Sequence, residues 1–247
     1  MKVVIFSDLD DTIFQTKNKF DGDKLSPAAL GPDGRPLSFM KPAQVFLLEK
    51  IIKKGRLIPV TARNRESFQR VQIKFSHGAI LNFGGLVLSP SGEVDQKWLD
   101  QVKAKALEAE ELLNEALAFC HQMVSKYKLK AKARLIGDEG LSFYLVAKTE
   151  RARLEELFTL KKELESCFSK IANVYLNGNN LSFLPRYLDK GPAVKYFIDT
   201  YILTKEEKKD DYIIFGMGDG LVDLNFLLLC DYMIVPTGSQ LGNYYVK

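Results

Sequence analysis

A short apolar run that ends in acidic residues constrains the fold of this chain more than any other feature. Residues 3–7 read VVIFS, and three aspartates follow within the next four positions: Asp8, Asp10 and Asp11. A continuous apolar run of this length, rich in β-branched residues, predicts a strand buried on both faces, as in parallel sheets. The aspartates would then stand at the carboxyl end of a buried parallel strand.

The elements predicted after this strand alternate in type. A helix is expected over 41–55, a strand over 57–61, a helix over 66–75, and two strands around a glycine turn within 79–95. This βαβαβ order favours a parallel sheet covered by helices on both faces. The stretch 14–40 is polar and rich in turn residues, so we expect a loop or a small hairpin there.

The pattern changes over residues 95–185. Apolar residues recur at three- and four-residue steps over 99–124, which predicts one long amphipathic helix. Two pairs of strands follow around the polar turns 137–140 (GDEG) and 177–180 (NGNN), with a charged helix between the pairs. This repeated helix–strand–strand unit indicates a separate α+β domain inserted into the first.

After Lys190 the first pattern resumes, with a helix and then a strand over 212–217. A chain of 247 residues is long enough for one large domain that carries an insertion. The sequence therefore predicts an α/β protein. Residues 1–85 and 187–247 would form a doubly wound, mainly parallel sheet core, and residues 86–186 an inserted α+β cap domain.

Composition excludes several classes of protein. Three cysteines, odd in number and set in apolar surroundings, indicate buried thiols in a reducing compartment rather than disulfides or metal ligands. The first residues are unlike a signal peptide, and no apolar stretch approaches the ~20 residues that a membrane helix needs. We therefore expect a soluble, cytoplasmic protein without a membrane partner.

Charge gives no sign of a nucleic-acid partner. The surplus of 35 basic over 31 acidic residues is small, and the one local bias is a basic stripe that alternates with apolar residues over 126–134. Such alternation is typical of a strand with one solvated face, and an anion-attracting surface is the competing interpretation. We expect no nucleic-acid binding, because such a role would rest on this stripe alone. If the stripe did bind DNA or RNA, retention of the nucleic acid would be sensitive to salt.

Chemically related residues follow several of the predicted strands. They are Asp8 and Asp10, Thr61 and Arg63, Asp219 and Asp223, together with a lone Lys190 before a helix. In an open parallel sheet, ligands bind outside the carboxyl ends of the strands. Clustered carboxylates without histidine or cysteine call for a hard divalent cation such as Mg²⁺, and lysine and threonine supply the charge and the hydroxyl donor that a phosphate needs. The residues alone therefore predict metal-assisted phosphoryl chemistry.

Four motifs resemble, in order and approximate spacing, those of the haloacid dehalogenase superfamily of phosphatases. They are DLDDT at 8–12, VTAR at 60–63, Lys190 followed by Gly191, and GDGLVD at 218–223. The match spans the chain. The long insertion between the second and third motifs is similar to the subgroup of Cof-type sugar phosphatases, sucrose-phosphate phosphatase and mannosyl-phosphoglycerate phosphatase, which implies a Rossmann-like core with a substrate-selecting cap.

The resemblance implies a role for each motif residue. Asp8 would be the nucleophile that forms an aspartyl-phosphate, and Asp10 the general acid and then base. Thr61 and Lys190 would hold the transferring phosphoryl group. The ligands of Mg²⁺ would be Asp8, the backbone carbonyl of Asp10, Asp219 and, directly or through water, Asp223.

Other residues are open to two interpretations. Thr12 would tighten the turn after the nucleophile or act as an ordinary cap. Arg63 would contact substrate or phosphate, or else be an exposed arginine at the start of a helix. The candidate substrate-binding residues of the cap, which would contact sugar hydroxyls or a second anion, are Asn179, Asn180 and Arg186. The competing interpretation of the asparagines is plain hairpin turn chemistry.

Two features depart from the subgroup. Gly220 and Val222 stand in the fourth motif where polar residues are common, so side chains that would surround the metal are missing there. The segment 14–40 is longer than usual and would close over the site.

We therefore expect a Mg²⁺-dependent phosphatase acting on a small phosphorylated metabolite, with a sugar phosphate as substrate. One alternative is a phosphomutase or phosphotransferase that passes the phosphoryl group from Asp8 to a second hydroxyl. The other is a signalling module that is phosphorylated without turnover, against which an intact Asp10 argues.

Overall fold

The computed structural model describes residues 1–20, 22, 24–51, 55–203 and 208–245. Contacts within the chain divide it into two compact units. The first combines Met1–Trp98 with Asp189–Lys247, and the second is Leu99–Leu188.

The first unit begins with β1 (Lys2–Ser7), β2 (Gln15–Thr16), β3 (Ser26–Leu30), β4 (Pro36–Met40), α1 (Pro42–Phe46), β5 (Arg56–Pro59), α2 (Arg65–Gln69), β6 (Ala79–Leu81) and β7 (Leu86–Leu88). Helix α3 (Gln96–Glu108) leads into the second unit, which contains α4 (Glu110–Lys126), β8 (Lys132–Asp138), β9 (Leu141–Lys148), α5 (Leu154–Phe168), β10 (Ala172–Asn177) and β11 (Asn180–Pro185). The chain returns to the first unit with α6 (Lys190–Phe197), β12 (Tyr212–Met217), α7 (Leu224–Leu227), β13 (Tyr232–Ile234) and α8 (Gln240–Tyr245). Of the helices that the structure describes, none combines the length and the apolar character needed to cross a bilayer.

The first unit is built on a four-stranded sheet in the order β13-β12-β1-β5, in which every neighbouring pair is parallel. Successive residues of the central strand β1 are buried, with Val4 and Phe6 at 0% exposure and Ile5 at 4%. Because successive side chains of a strand point to opposite faces, both faces of β1 are covered. The predicted α/β class with a parallel sheet is confirmed.

Strand register aligns the carboxyl ends of three strands. Ser7, the last residue of β1, pairs with Met217 of β12 on one side and with Pro59 of β5 on the other. Backbone hydrogen bonds continue past these pairs: the amide of Asp8 donates to the Met217 carbonyl (2.8 Å), and that of Val60 to the Ser7 carbonyl (2.7 Å). The loops that follow the three strands therefore begin at one edge of the sheet.

The region 14–40, predicted as a loop or a small hairpin, contains a three-stranded antiparallel sheet in the order β2-β4-β3. Strands β3 and β4 form a hairpin whose turn is closed by the Gly31 amide, which donates to the Arg35 carbonyl (2.8 Å). Ala28 of β3 is completely buried in an apolar cluster of the first unit. The turn residues that suggested a loop thus occupy short connections between packed strands. Two residues of this region, Asp21 and Asp23, lie outside the described residues.

The first helix differs from the one predicted over 41–55. Helix α1 has Pro42 in its first turn, as predicted, where a missing amide hydrogen costs no helical hydrogen bond. A π-helical turn, Leu47–Ile51, follows it. Residues 52–54 of the predicted helix lie outside the described residues.

The helix predicted over 66–75 is the shorter α2. Beyond α2 the Leu30 amide donates to the Arg70 carbonyl (2.9 Å), and the Gln72 amide donates to the Ala28 carbonyl (2.7 Å). The backbone after α2 therefore bonds to β3 instead of continuing the helix, a tertiary pairing that helical periodicity does not reveal.

The second unit is a four-stranded antiparallel sheet in the order β10-β11-β9-β8, packed with α4 and α5. The strand pairs predicted around 137–140 and 177–180 are β8 with β9 and β10 with β11. The helix predicted as one over 99–124 is two helices, α3 and α4, which meet at Ala109 (ψ −3°). Residues at the centre of this core are Leu113, Leu145, Leu157, Leu160, Leu181 and Phe183.

The first boundary between the units lies at Trp98, whereas the sequence placed it at residue 85. Strand β7 pairs antiparallel with β6, which keeps it in the first unit. The start of α3 is bound there too, because the Trp98 indole N–H donates to the Gly84 carbonyl (2.9 Å). Asp95 accepts a hydrogen bond from the Trp98 amide (2.9 Å) and one from the Tyr201 hydroxyl (2.5 Å).

Candidate active site

Three buried carboxylates meet at the edge where the parallel strands end. Asp8 follows β1, and Asp219 and Asp223 follow β12; their exposed fractions are 7%, 4% and 1%. One carboxylate oxygen of each lies within 4.8 Å of the others. The predicted residues of the first and fourth motifs, remote in the sequence, are thus brought together.

Lys190 lies within this cluster. Its ammonium donates to Oδ1 of Asp8 (2.7 Å) and to Oδ1 of Asp223 (2.6 Å), and the residue is 1% exposed. It is the first residue of α6, which begins where the Asp189 carboxylate accepts a hydrogen bond from the Gly191 amide (2.6 Å). Asp189, the N-cap residue of α6, therefore sets the direction in which Lys190 enters the cluster.

Neighbouring polar groups hold the carboxylates in place. The Thr12 hydroxyl donates to Oδ1 of Asp219 (3.1 Å) and lies 3.4 Å from Oδ2 of Asp8. Oδ2 of Asp223 accepts from the backbone amides of Asp219 (3.1 Å) and Gly220 (2.9 Å). Backbone amides of the fourth motif thus support Asp223, although Gly220 and Val222 supply no polar side chains there. Thr12 bridges the first and fourth motifs rather than acting as a local cap.

Burial and repulsion from neighbouring carboxylates raise the pKa values of Asp8 and Asp219. Burial raises the pKa of Asp8 well above its ordinary value; the carboxylates of Asp223 and Asp219 add to the rise, and Lys190 opposes it. Burial, with the charge of Asp223, also raises the pKa of Asp219 to about 7. For Lys190, burial alone would lower the pKa, but Asp223 and Asp8 outweigh burial and raise it, so the ammonium stays charged.

The chemistry of this cluster fits Mg²⁺. When all three carboxyl groups are ionised, three carboxylates against one ammonium leave two negative charges uncompensated in a buried site, and a divalent cation carries the opposite charge. The available donors are carboxylate oxygens, which Mg²⁺ prefers, without nitrogen or sulfur among them. Asp8, Asp219 and Asp223 are therefore the residues that could hold the ion.

Thr61 lies in the loop after β5, at the same edge of the sheet. It is 1% exposed, and its amide donates to the Ile80 carbonyl (2.8 Å). Its Oγ1 accepts a hydrogen bond from the Arg63 amide (3.1 Å), which leaves the hydroxyl hydrogen to be donated to another group. The backbone on both sides of Thr61 is thus fixed.

Asp10 and Arg63 form a pair that the sequence did not predict. The Arg63 guanidinium donates twice to the Asp10 carboxylate, Nε to Oδ2 (2.7 Å) and Nη2 to Oδ1 (2.8 Å). The side chain of Asp10 is 50% exposed, and that of Arg63 is 14% exposed. Arg63 is therefore not the exposed helix-start arginine of one interpretation, and no sequence signal indicated its partner.

Two of the three candidate residues of the second unit, Asn179 and Arg186, have local side-chain partners. The side-chain amide of Asn179 donates to the Thr149 carbonyl (3.1 Å), and Asn180 is the first residue of β11. The Arg186 guanidinium donates to the carbonyls of Lys170 (3.0 Å) and Ser169 (2.6 Å). These bonds belong to the architecture of the unit, and a role in substrate binding stays a prediction.

Two aromatic rings near Lys190 were missed by sequence reasoning. The ammonium lies 5.7 Å from the ring centroid of Phe83 and 5.8 Å from that of Phe226, within cation–π range. Phe83 has φ +54°, which is unusual for a bulky residue. The next residue, Gly84 (φ +96°), has no space for a Cβ, which would lie 2.3 Å from the Asp189 carbonyl. The sequence feature that could have indicated this contact is a bulky residue, Phe83, inside a glycine turn.

The strands of the parallel sheet end at a cluster of carboxylates and a lysine, and the α+β unit is inserted before that lysine. This arrangement is a haloacid dehalogenase-like fold. A solved structure with a similar fold is the sucrose-phosphatase of Synechocystis sp. PCC6803 in complex with sucrose and phosphate: it is 16% identical, its TM-score is 0.55, and the match covers 100% of this chain and 88% of that one. The C-terminal domain of C. albicans trehalose-6-phosphate phosphatase is 13% identical, with a TM-score of 0.56 and coverage of 91% and 72%.

A Thermoplasma acidophilum protein is similar as well, at 12% identity and a TM-score of 0.57, with 100% of this chain and 90% of that chain covered. No family model matches the sequence, and no curated protein does. At these identities the likeness establishes the fold.

Proposed function

We propose that this chain is a Mg²⁺-dependent phosphatase that hydrolyses a small phosphomonoester, with sugar phosphates as the substrate class, through an aspartyl-phosphate on Asp8. The observation that carries the proposal is the Lys190 ammonium, held between Asp8 and Asp223 at an edge that also holds Asp219. Such an arrangement provides a nucleophile together with the positive charge that a phosphoryl group requires.

The reaction takes place in two displacements at phosphorus. In the first, a carboxylate oxygen of Asp8 forms a bond to phosphorus while the ester P–O bond breaks, and Asp10 gives its proton to the departing oxygen. In the second, Asp10 takes a proton from water as the water oxygen attacks phosphorus. The bond to Asp8 then breaks, which releases inorganic phosphate and restores the carboxylate.

Lys190 and Thr61 bind the phosphoryl oxygens. The ammonium already contacts Asp8, so it lies beside the nucleophile and offsets negative charge on an incoming phosphoryl group. The hydroxyl of Thr61, whose oxygen accepts from the Arg63 amide, donates its hydrogen to a phosphoryl oxygen. Both side chains are buried, so few competing water contacts are lost when the group binds.

Asp8, Asp219 and Asp223 would hold the Mg²⁺, with the backbone carbonyl of Asp10 as a further ligand. When bound, the ion supplies positive charge that keeps Asp8 ionised and neutralises the phosphoryl oxygens. Thr12 orients Asp219 for this task through its hydrogen bond to Oδ1.

Sugar phosphates are proposed as substrates on the basis of the fold. The similar structures include proteins named as a sucrose-phosphatase and a trehalose-6-phosphate phosphatase. The second unit would select the substrate, since the parallel-sheet unit supplies only phosphate chemistry. Its candidate contacts are Asn179, Asn180 and Arg186.

The test is release of inorganic phosphate by the full chain from a panel of sugar phosphates and other phosphorylated metabolites, with Mg²⁺ and with a chelator. We expect sustained turnover that the chelator abolishes and that Asp8→Asn eliminates. The matched control is Asp199→Asn, a same-sized change at an exposed carboxylate of the first unit, which should retain activity. Absence of turnover on the whole panel, or an active Asp8→Asn variant, would contradict the proposal.

The same assay separates the alternative of phosphoryl transfer to a second hydroxyl. With labelled substrate and no added acceptor, a phosphatase releases labelled phosphate continuously. A mutase or transferase releases little and produces a labelled organic phosphate instead.

A further inference from the structure

The Asp10 side chain is half-exposed, yet both of its oxygens are held by one guanidinium. Nε and Nη2 of Arg63 donate in parallel over 2.7 and 2.8 Å. Two-point pairing of this kind fixes the plane of the carboxylate as well as its position, which a lysine cannot do. An exposed aspartate without it would sample several rotamers.

The Arg63 guanidinium is itself held from other directions. Its Nη1 donates to the Ser67 carbonyl of α2 (3.0 Å), and the ring centroid of Phe14 lies 5.2 Å from its Cζ. Its backbone amide donates to Oγ1 of Thr61 (3.1 Å). Only 14% of the Arg63 side chain is exposed, so it holds Asp10 rigidly. Fully solvated ion pairs, in contrast, contribute little to stability.

We infer that Arg63 is a positioning residue for proton transfer: it holds the Asp10 carboxyl in the direction from which it exchanges protons with the leaving group and with water. The inference rests on the proposed function, since it assigns the orientation of the acid that the proposed reaction uses. Arg63 takes no part in bond making or breaking. Its effect passes through Asp10, because each carboxylate oxygen accepts one hydrogen bond from Arg63 with one lone pair and keeps its other lone pair for the exchanged proton.

A purely structural role is the competing explanation. Arg63 joins the loop after β1 to the start of α2, and loss of that link would reduce every activity of the site by a common factor. Positioning of a general acid predicts something different. An alkyl phosphate needs its departing alkoxide protonated, whereas an activated aryl phosphate expels a stable phenolate with little help. Loss of Arg63 should therefore lower the rate of hydrolysis of the alkyl ester more than that of the aryl ester.

The experiment compares kcat/KM of the full chain for 2,4-dinitrophenyl phosphate and for an alkyl phosphate that the protein hydrolyses. This parameter covers the steps up to departure of the leaving group, so hydrolysis of the phosphoenzyme does not mask the difference. We expect Arg63→Gln to lower the alkyl value by about 100-fold and the aryl value by less than about tenfold. Asp10→Asn should show the same selectivity, and the double variant should lose little more than Asp10→Asn alone, because the two residues act as one unit.

The matched control is Arg70→Gln, which removes the ion pair between the partly exposed Arg70 and the exposed Glu66 in the α2 region (2.7 Å) and should leave both values near those of the unaltered chain. If Arg63→Gln does not fold, Arg63→Lys serves instead, because it keeps the charge but loses the two-point pairing. Equal losses on both esters, additive losses with Asp10→Asn, or a faster variant would each overturn the inference. If the unaltered chain hydrolyses neither ester, the proposed function fails first, and the inference fails with it.

Discussion

The ammonium of Lys190 lies 2.7 Å from Oδ1 of Asp8, although 182 positions of the sequence separate the two residues. Asp8 belongs to the first segment of the parallel-sheet unit, and Lys190 to the segment that returns after the second unit. The contact therefore forms only when both segments have folded on the same sheet. This buried ion pair joins the stability of the first unit to the chemistry proposed for it.

Replacement of Lys190 should damage both stability and activity. In Lys190→Met, Asp8 and Asp223 stay buried without their cationic partner, which typically costs about 3–5 kcal/mol of unfolding free energy. Phosphatase activity should fall by about 100-fold or more, as for loss of a group that stabilises transition-state charge. Urea unfolding and phosphate release measure the two effects.

Lys195→Met is the control for this variant, because Lys195 lies on the same helix but is 66% exposed and pairs with an exposed aspartate. We expect it to change stability by less than about 1 kcal/mol. Added Mg²⁺ should restore part of the stability lost in Lys190→Met. An unfolding free energy equal to that of the unaltered chain would show that the pair does not support the fold.

The hydrogen bond from Thr12 should tune metal affinity. Thr12→Val keeps the shape of the side chain but removes the donor to Oδ1 of Asp219. Loss of a partner that orients a metal ligand typically weakens affinity by about 10–100-fold, so the Mg²⁺ concentration for half-maximal activity should rise by that factor. Thr159→Val, at a partly exposed position of α5, is the control and should leave the Mg²⁺ titration unchanged. Identical titrations for Thr12→Val and the unaltered chain would rule out this role.

At position 83 a glycine substitution should destabilise the fold less than an alanine substitution, the reverse of the usual order. The φ of +54° at this position strains any residue with a Cβ by about 1–2 kcal/mol but suits glycine. Both Phe83→Ala and Phe83→Gly lose the buried ring beside Lys190, so both should be destabilised and less active. Phe83→Gly should nevertheless be the more stable of the two by about 1 kcal/mol in urea unfolding. A more stable alanine variant would mean that the turn relaxes out of the left-handed region.

The stabilising effect of Mg²⁺ should grow with pH. The folded state raises the pKa of Asp219 from 3.8 to about 7, so the contribution of this group to stability is complete below its unfolded pKa and is lost as the pH rises through about 7. In the presence of chelator, the protein should lose that contribution as the pH rises from 3.8 to about 7. Mg²⁺ requires ionised ligands, and its stabilisation should therefore be small near pH 5 and large near pH 8.

Thermal unfolding with Mg²⁺ and with chelator, at each pH, measures this difference. The variant Asp219→Asn removes the titrating group and should flatten the pH dependence. A shift in unfolding temperature that is the same at all pH values would argue against coupling between ion binding and Asp219.

Backbone features that depend on local pattern were predictable from sequence. The apolar run of β1 and the acids that follow it placed Asp8 at the end of a parallel strand, and the turns at 137–140 and 177–180 located two strand pairs. The position of Lys190 before a helix was also apparent. Because parallel strands end at a common edge, these local features were enough to predict that distant motif residues converge.

Features that depend on tertiary pairing were not predictable. The bidentate contact between Asp10 and Arg63 requires the loops after β1 and β5 to lie side by side, and the same sequence is compatible with an exposed arginine. Helix α2 ends because the backbone around residue 70 bonds to β3, although the periodicity continues to 75. In the region 14–40, glycine and proline indicated turns correctly but concealed the packed strands between them.

Burial of Lys190 also makes it a chemical reporter. Among the described lysines it is the one classed as buried, and its amine is engaged by two carboxylates. Reagents that acylate amines should therefore modify the surface lysines first and reach Lys190 only when the surrounding loops open. The rate at which this single amine is labelled, followed by peptide mass spectrometry, would register local opening of the site separately from global unfolding.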